Sequence, residues 1–192
     1  MSEQRIGLLF VVSGPSGVGK TTTVNEAIRQ GLGAKRGVTM TTRPPRDGET
    51  HGVDYQFILR PIFERIHSQG LFLESTEYNG HLYGTKESEV VNHRCYGRDV
   101  VLILDPTGAL AIRRHYPDAV LIFIAPQSMG EVRRRLEGRG GDPETITARL
   151  KMAESELAFA PEYDFVIPSR DIKHDVNALT AIVAAQRMRR EN

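Results

Sequence analysis

Eight residues constrain this chain more than any others: Gly14-Pro15-Ser16-Gly17-Val18-Gly19-Lys20-Thr21. They satisfy G-x-x-x-x-G-K-[ST] and lie between two different periodicities. Upstream, Ile6-Gly7-Leu8-Leu9-Phe10-Val11-Val12 is an apolar run that reads as a buried strand. Downstream, Val24, Ala27, Ile28 and Leu32 recur at helical spacing. A glycine-rich loop joining strand to helix is the setting that phosphate binding demands. Its glycines let successive backbone N–H groups turn onto phosphate oxygens, and the helix start adds the positive end of its dipole. In that setting Lys20 reaches the β- and γ-phosphates, and the Thr21 hydroxyl joins a magnesium (Mg2+) shell. Thr22, on the first helical turn, is counted with this ATP-binding set. The alternative is a glycine-rich turn that binds nothing, and the complete pattern with correct flanks disfavours it. The expected ligand is a nucleoside triphosphate.

The remainder of the chain says what accompanies that loop. With 192 residues, 40% of them apolar and 26% charged, there is enough chain for one well-buried α/β core with an inserted lobe. A formal charge of +1 gives no general attraction to nucleic acid or to an anionic membrane, so any anion must be held by local clusters. No obligatory protein partner is evident. The one cysteine, Cys95, excludes an internal disulfide and suits a reducing compartment. The six histidines are scattered and form no metal-ligand pair. The first apolar run is broken by Gly14 and Pro15 too soon to span a membrane, and no small-residue cleavage pattern follows it. A cytoplasmic location is expected.

Val100–Leu104, Ala119–Ala125 and Phe165–Ile167 are further strand-like runs separated by helical patterns, which predicts a parallel sheet with helices on both faces. A short helix is expected over Gly108–Tyr116, after the Asp105-Pro106 turn. Ser128 is expected to cap a helix through Leu136, with Glu131 completing a capping box. Pro143 opens another helix, with Ile146, Leu150, Ala153 and Leu157 on one face. The last helix carries Val176, Leu179, Ile182 and Val183, and its basic end, Arg187-Met188-Arg189-Arg190, reads as solvated. Residues 39–95 differ in character. Val53–Phe57 and Phe72–Tyr78 alternate as strands do, Asn79-Gly80 marks a hairpin turn into His81-Leu82-Tyr83, and Ile62, Phe63 and Ile66 suggest a short helix closed by Gly70. Antiparallel strands inside a parallel architecture suggest a separate small lobe.

That lobe carries Thr41-Thr42-Arg43-Pro44-Pro45-Arg46-Asp47-Gly48-Glu49, followed by Gly52-Val53-Asp54-Tyr55. Two arginines stiffened by a double proline make a preset fork for a phosphate dianion, which guanidinium binds bidentately. Tyr55 and Tyr83 add hydroxyl donors. The fork alone fits a plain surface loop equally well. The order T-T-R-x-P-R-x-G-E, G-x-D-Y, F-L-E, Y-G-T, downstream of G-P-S-G-V-G-K-T, resembles guanylate kinase from about Leu8 to Ile182.

The resemblance implies a P-loop nucleoside monophosphate kinase-like α/β fold. It comprises a core (1–38 and 96–192), a GMP-binding lobe (about 39–95) and a lid (about 135–150). It implies transfer of the ATP γ-phosphoryl group to GMP, with magnesium. On the matching positions, Arg43, Arg46, Tyr55 and Tyr83 would grip the GMP phosphate, and Glu74 would read guanine N1–H and the 2-amino group. Thr39 stands near guanine O6, Thr85 lines the base pocket, and Arg135, Arg139 and Arg149 correspond to the lid arginines. Lys20, Arg43, Arg135 and Arg149 form the expected catalytic set. Asp105 ends an apolar strand, where a carboxylate would hold magnesium through water or contact the acceptor. dGMP is expected to serve as well, because no identified residue demands the ribose 2′-OH.

The chain departs from the family pattern in four places: Ile103 within D-x-D, Ser75 for a tryptophan, Ser169-Arg170-Asp171 for N-D-D, and one residue fewer between Arg139 and Arg149. It therefore reads as a divergent member. Two rivals stay open, a kinase of the same scaffold with another acceptor and a protein-interaction module. The intact loop from Gly14 to Thr21 argues against the second.

Overall fold

The run before the phosphate loop alternates sides: Leu8, Phe10 and Val12 pack into one apolar layer, Leu9 and Val11 into the other. A strand buried on both faces belongs at the centre of a parallel sheet covered by helices, and the computed structural model, which describes residues 5–138 and 143–190, has that form. In chain order the first half contains β1 (Leu9–Ser13), α1 (Lys20–Arg29), β2 (Ala34–Arg36), β3 (Met40–Thr41), β4 (Gln56–Phe57), α2 (Arg60–Ser68), β5 (Phe72–Tyr78), β6 (His81–Lys86) and α3 (Glu87–Arg94). The second half contains β7 (Asp99–Ile103), α4 (Pro106–His115), β8 (Val120–Ala125), α5 (Met129–Glu137), α6 (Pro143–Leu157), β9 (Phe165–Pro168) and α7 (Ile172–Arg190).

The core sheet runs β2-β7-β1-β8-β9, with every pairing parallel. Val24 and Ala27 of α1 share one face with Val176, Leu179 and Val183 of α7. Val90 of α3 and Ala109 and Ile112 of α4 cover the other. β1 has β7 on one side and β8 on the other, so the chain reverses its winding there. In open α/β sheets that reversal leaves a crevice at the carboxyl ends of the strands. The phosphate loop after β1 and Asp105 after β7 both open onto it.

A second sheet, ordered β4-β3-β6-β5, is built from the segment between β2 and β7. β3 pairs parallel with β4 and antiparallel with β6, so this sheet is mixed. Phe63 and Ile66 of α2 pack with Met40 beneath it. The β5–β6 turn has Asn79 at φ 51° and Gly80 at φ 75°, the double left-handed pair a two-residue hairpin needs. The expected strand over Val53–Phe57 shrinks to Gln56–Phe57. Asp54 is spent on a turn instead, accepting from the Thr50 amide at 2.8 Å, which leaves Val53 exposed.

The ends of three helices carry further differences. α4 begins at Pro106, two residues before the expected Gly108, because Asp105 accepts from Gly108 N at 2.9 Å and caps it. Ser128 caps α5 as expected, accepting from Glu131 N at 3.2 Å, but the Glu131 carboxylate is held by Arg135. The basic end of α7 is not simply solvated. Arg187 donates to Asp99 at 2.7 Å and to Leu32 O at 2.9 Å, and Arg190 donates to Asp118 at 2.7 Å. The last turns of α7 end against Asp99 at the start of β7 and Asp118 just before β8, which hydropathy along the helix does not reveal.

Candidate active site

Gly14 leaves β1 at φ 137°, and a Cβ there would stand 2.3 Å from the carbonyl oxygen of Ile124 in β8. Only glycine lets the chain pass that strand and turn. Gly19, at φ 109°, precedes α1 and provides no side-chain cap. The first amides of α1 are therefore left for an anion, the arrangement that helix starts use for phosphate. Lys20 folds back over the loop and donates to the carbonyls of Gly14 and Pro15. Arg135 of α5 donates to Val18 O from outside the loop.

A cleft of about 170 Å³ joins this loop to the second sheet. Ser16, Gly17, Gly19, Lys20, Thr21 and Thr22 line one wall; Thr39, Arg43, Arg46, Tyr55, Glu74 and Tyr83 line the other; Asp105 lies between them. Gly14, Pro15 and Val18, also expected at the triphosphate, do not line the cleft, and Val18 packs into the core. Thr85 is fully buried, its hydroxyl 3.2 Å from that of Thr39. Arg149 lines an adjoining pocket together with Ser16, Arg43, Arg46 and Tyr83. Arg139 lies outside the described residues.

On the second-sheet wall, Arg43 is buried, with its guanidinium 5.4 Å from the centre of the Tyr55 ring and its Nη2 donating to Glu49 at 2.8 Å. The second oxygen of Glu49 accepts from Arg46 N, also at 2.8 Å. One carboxylate thus sets the spacing of the fork. Burial works against its charge, but the bonds from Arg43 and Arg46 hold its carboxyl below the ordinary carboxylate range. Tyr55 and Tyr83 meet edge to face at 6.0 Å.

Glu74 is the most unusual group in the cleft. β5 carries a bulge between Phe72 and Glu74, so the consecutive residues Leu73 and Glu74 are both buried, the first in the core and the second in the cleft. Bulges re-aim side chains in this way beside functional sites. Neither Glu74 oxygen has a hydrogen-bond partner among the described residues. Burial, above all, pushes its carboxyl up to about 7; the Asp105 charge adds to that, and the nearby Thr85 opposes it. A carboxylate so placed is short of donors.

Asp105 is already engaged, by Gly108 N and by the Thr76 hydroxyl at 2.9 Å. Among the described residues, no three His, Cys, Asp or Glu side chains converge as a metal cage. That donor set fits magnesium arriving on a triphosphate, which needs only one or two protein oxygens.

Reading the sequence missed Tyr78 and Glu156, both of which line the cleft. Each had a signal. Tyr78 shares the face of β5 with Glu74 and Thr76 by the two-residue period. Glu156 falls three residues after Ala153 on the buried face of α6, where a charge is out of place.

The family model for guanylate kinase matches residues 7–186. The chain belongs to the guanylate kinase family. It is 45% identical over 184 residues to the guanylate kinase of Thermus thermophilus, covering 95% of this chain and 83% of that one. It is 44% identical to that of Alkalilimnicola ehrlichii, covering 96% and 92%. The crystal structure of guanylate kinase from Anaplasma phagocytophilum superposes with a TM-score of 0.82 at 32% identity, over 96% of this chain and 88% of that one. As in other P-loop kinases, the core is a parallel sheet with helices on both faces. No helix among the described residues is long and apolar enough to cross a membrane.

Three of the four departures from the guanylate kinase pattern can be placed in the structure; the shortened stretch after Arg139 begins outside the described residues. Ser75 is exposed on the side of β5 opposite Glu74. Ser169 donates to the buried Asp175 at 2.7 Å, and the Arg170 amide donates to the same carboxylate at 3.1 Å, so the turn after β9 is held from α7. Ile103 lines the cleft beside Asp105.

Proposed function

We propose that this chain transfers the γ-phosphoryl group of ATP to GMP, giving ADP and GDP, with GMP held against the second sheet and ATP on the phosphate loop. The observation that carries this reading is Glu74, a buried carboxylate whose oxygens have no hydrogen-bond partner among the described residues, facing the same cleft as Lys20. Guanine offers N1–H and a 2-amino group to such an acceptor, while adenine presents a lone pair at N1 and no amino group at C2. Sites that hydrogen-bond their substrate in this way discriminate by ~10⁴–10⁵ against an analogue lacking the groups.

The remaining roles follow from charge and position. Arg43 and Arg46, with the Tyr55 and Tyr83 hydroxyls, hold the GMP phosphate, and Thr39 and Thr85 flank the base. One GMP phosphate oxygen attacks the γ-phosphorus as the bond to the β,γ-bridging oxygen breaks, and the electron pair stays with ADP. Such transfers need alignment and positive charge more than covalent help. Lys20 supplies charge at the β- and γ-oxygens, and Arg135, Arg139 and Arg149 supply it from the lid side. The Thr21 hydroxyl and water-bridged Asp105 would hold magnesium, which when bound with ATP neutralises phosphate charge. The division into core, GMP-binding lobe and lid (about 135–150) is part of this proposal, supported by the separate second sheet and by the apolar cluster that joins α5 to α6. A cytoplasmic setting is supported by the exposed, unpaired Cys95.

The test is ADP release in magnesium ATP with GMP, dGMP, AMP, CMP and UMP in turn. GMP and dGMP should support turnover, and Glu74→Ala should cripple it. No GMP-dependent signal would end the reading. Turnover that ignores Glu74→Ala would point to another acceptor.

A further inference from the structure

Of the acidic residues described in α6, Glu144 and Glu154 are exposed while Glu156 is 7% exposed. A buried carboxylate is costly unless paired, and Glu156 finds its partner far away in sequence: Oε2 accepts from the backbone N–H of Ser16 at 3.1 Å. Burial pushes its carboxyl up and the charge of Asp105 adds to that, while Lys20 and the Ser16 amide pull it down. The side chain therefore touches the tip of the phosphate loop and feels the loop's lysine. A third element reaches the same point. Tyr78 of β5 lines the cleft beside Ser16 and Glu156, its hydroxyl buried and its phenol pushed up to about 12, by burial first and by the Glu156 charge second.

Arg149 lies on α6 about two turns before Glu156, roughly 10 Å along nearly the same face. It lines the adjoining pocket with Ser16, Arg43 and Arg46. α6 is thus a rigid spacer with an arginine at its middle that lines the pocket beside Arg43 and Arg46, and a contact to the phosphate loop near its C-terminal end. We propose that Glu156 is a positioning residue for phosphoryl transfer: its carboxylate anchors the loop tip through the Ser16 amide and so sets Arg149 at the correct height over the transferring phosphate. The inference rests on the phosphotransferase reading above. It assigns Glu156 no contact with substrate.

Three variants separate anchoring from charge. Glu156→Gln keeps an acceptor for Ser16 N–H without the charge; Glu156→Asp keeps the charge but withdraws it by one methylene; Glu156→Ala removes both. Displacing an aligned group by about 1 Å costs up to ~10²-fold in rate, so Glu156→Ala should lower kcat by about 10–100-fold while KM for GMP stays within about twofold. Glu156→Gln should recover kcat to within about fivefold of wild type, and Glu156→Asp should recover less. Because the effect runs through Arg149, adding Glu156→Ala to Arg149→Ala should cost less than about threefold more.

Thermal melts accompany each assay, run well below every melting temperature. Should Glu156→Ala fail to fold, the order of Gln over Asp decides. Aspartate outperforming glutamine, multiplicative losses in the double variant, or a lowered melting temperature with kcat unchanged would each overturn the inference. A wild type without GMP-dependent ADP release would instead sink the reading of function on which it rests.

Discussion

Replacing Glu74 by glutamine separates what this carboxylate costs the fold from what it gives the site. Glu74 is 5% exposed, and its carboxyl is raised from 4.5 to about 7, chiefly by burial. A raised value means the folded chain keeps a proton that the unfolded chain has lost, so stability falls as pH climbs from 4.5 through about 7. At ~1.4 kcal/mol per pH unit the loss is on the order of 3 kcal/mol. Glutamine carries no charge. Glu74→Gln should therefore be roughly 1–3 kcal/mol more stable than wild type at about pH 8, and no more stable at about pH 4.5. For a domain of this size that is a melting temperature about 2–10 °C higher at the alkaline end.

Binding should move the other way. The proposed guanine contact uses the ionised carboxylate, so wild-type affinity for GMP should weaken about tenfold per pH unit below about pH 7. Glutamine accepts one guanine hydrogen and turns an amide donor toward the other. Losing a charge-assisted hydrogen bond worth ~1.5–3 kcal/mol lowers affinity by about 10–150-fold at about pH 8. Calorimetric titration of GMP into both proteins gives an affinity ratio at each pH, and the ratio cancels the ionisation of the GMP phosphate itself. A ratio that stays constant from about pH 5.5 to about pH 8, or a melting difference equal at both ends, would refute the reasoning.

Lys20→Met should abolish the rise in melting temperature that magnesium ATP gives the wild type, read by scanning fluorimetry, since that ammonium is proposed to hold the triphosphate. Arg43→Met should raise KM for GMP and lower kcat together, by about 10-fold or more each in steady-state assays, because the same guanidinium is proposed to hold and aim the acceptor phosphate. Arg187→Ala should leave kcat and both KM values within about twofold yet cost roughly 1–3 kcal/mol in denaturant titration. It strips one partner from Asp99, which is 4% exposed, while Arg5 and the Leu8 amide remain.

What could be read from the chain alone depends on neighbours within a few residues. The phosphate loop is legible because glycine at Gly14 and Gly19 answers a local backbone demand. The Asn79-Gly80 turn and the Ser128 cap are legible for the same reason. The apolar runs of β1, β7, β8 and β9 announce burial, and hence a covered parallel sheet, because burial on both faces admits little else. The motifs in residues 39–95 picked out Arg43, Arg46, Tyr55, Glu74 and Tyr83, which line one cleft with the phosphate loop. β3 was not legible: two residues show no period, and its pairing with β4 and β6 is made by chain from three separate segments.

The same distinction divides the site. Sequence determined which residue types the phosphate loop and the arginine fork bring to the cleft, since each is fixed by a short pattern. Tertiary structure decided which carboxylates are lone and which are engaged. Thr76 takes up Asp105, Ser16 takes up Glu156, and Arg187 takes up Asp99 across 29, 140 and 88 residues of chain, while Glu74 is left with no donor among the described residues. Periodicity reports that a face is buried; it carries no information about what lies against it. Charge pairing across such separations exists only once the sheet order has closed the chain, and that closure sets the proton affinity of each acid in the cleft.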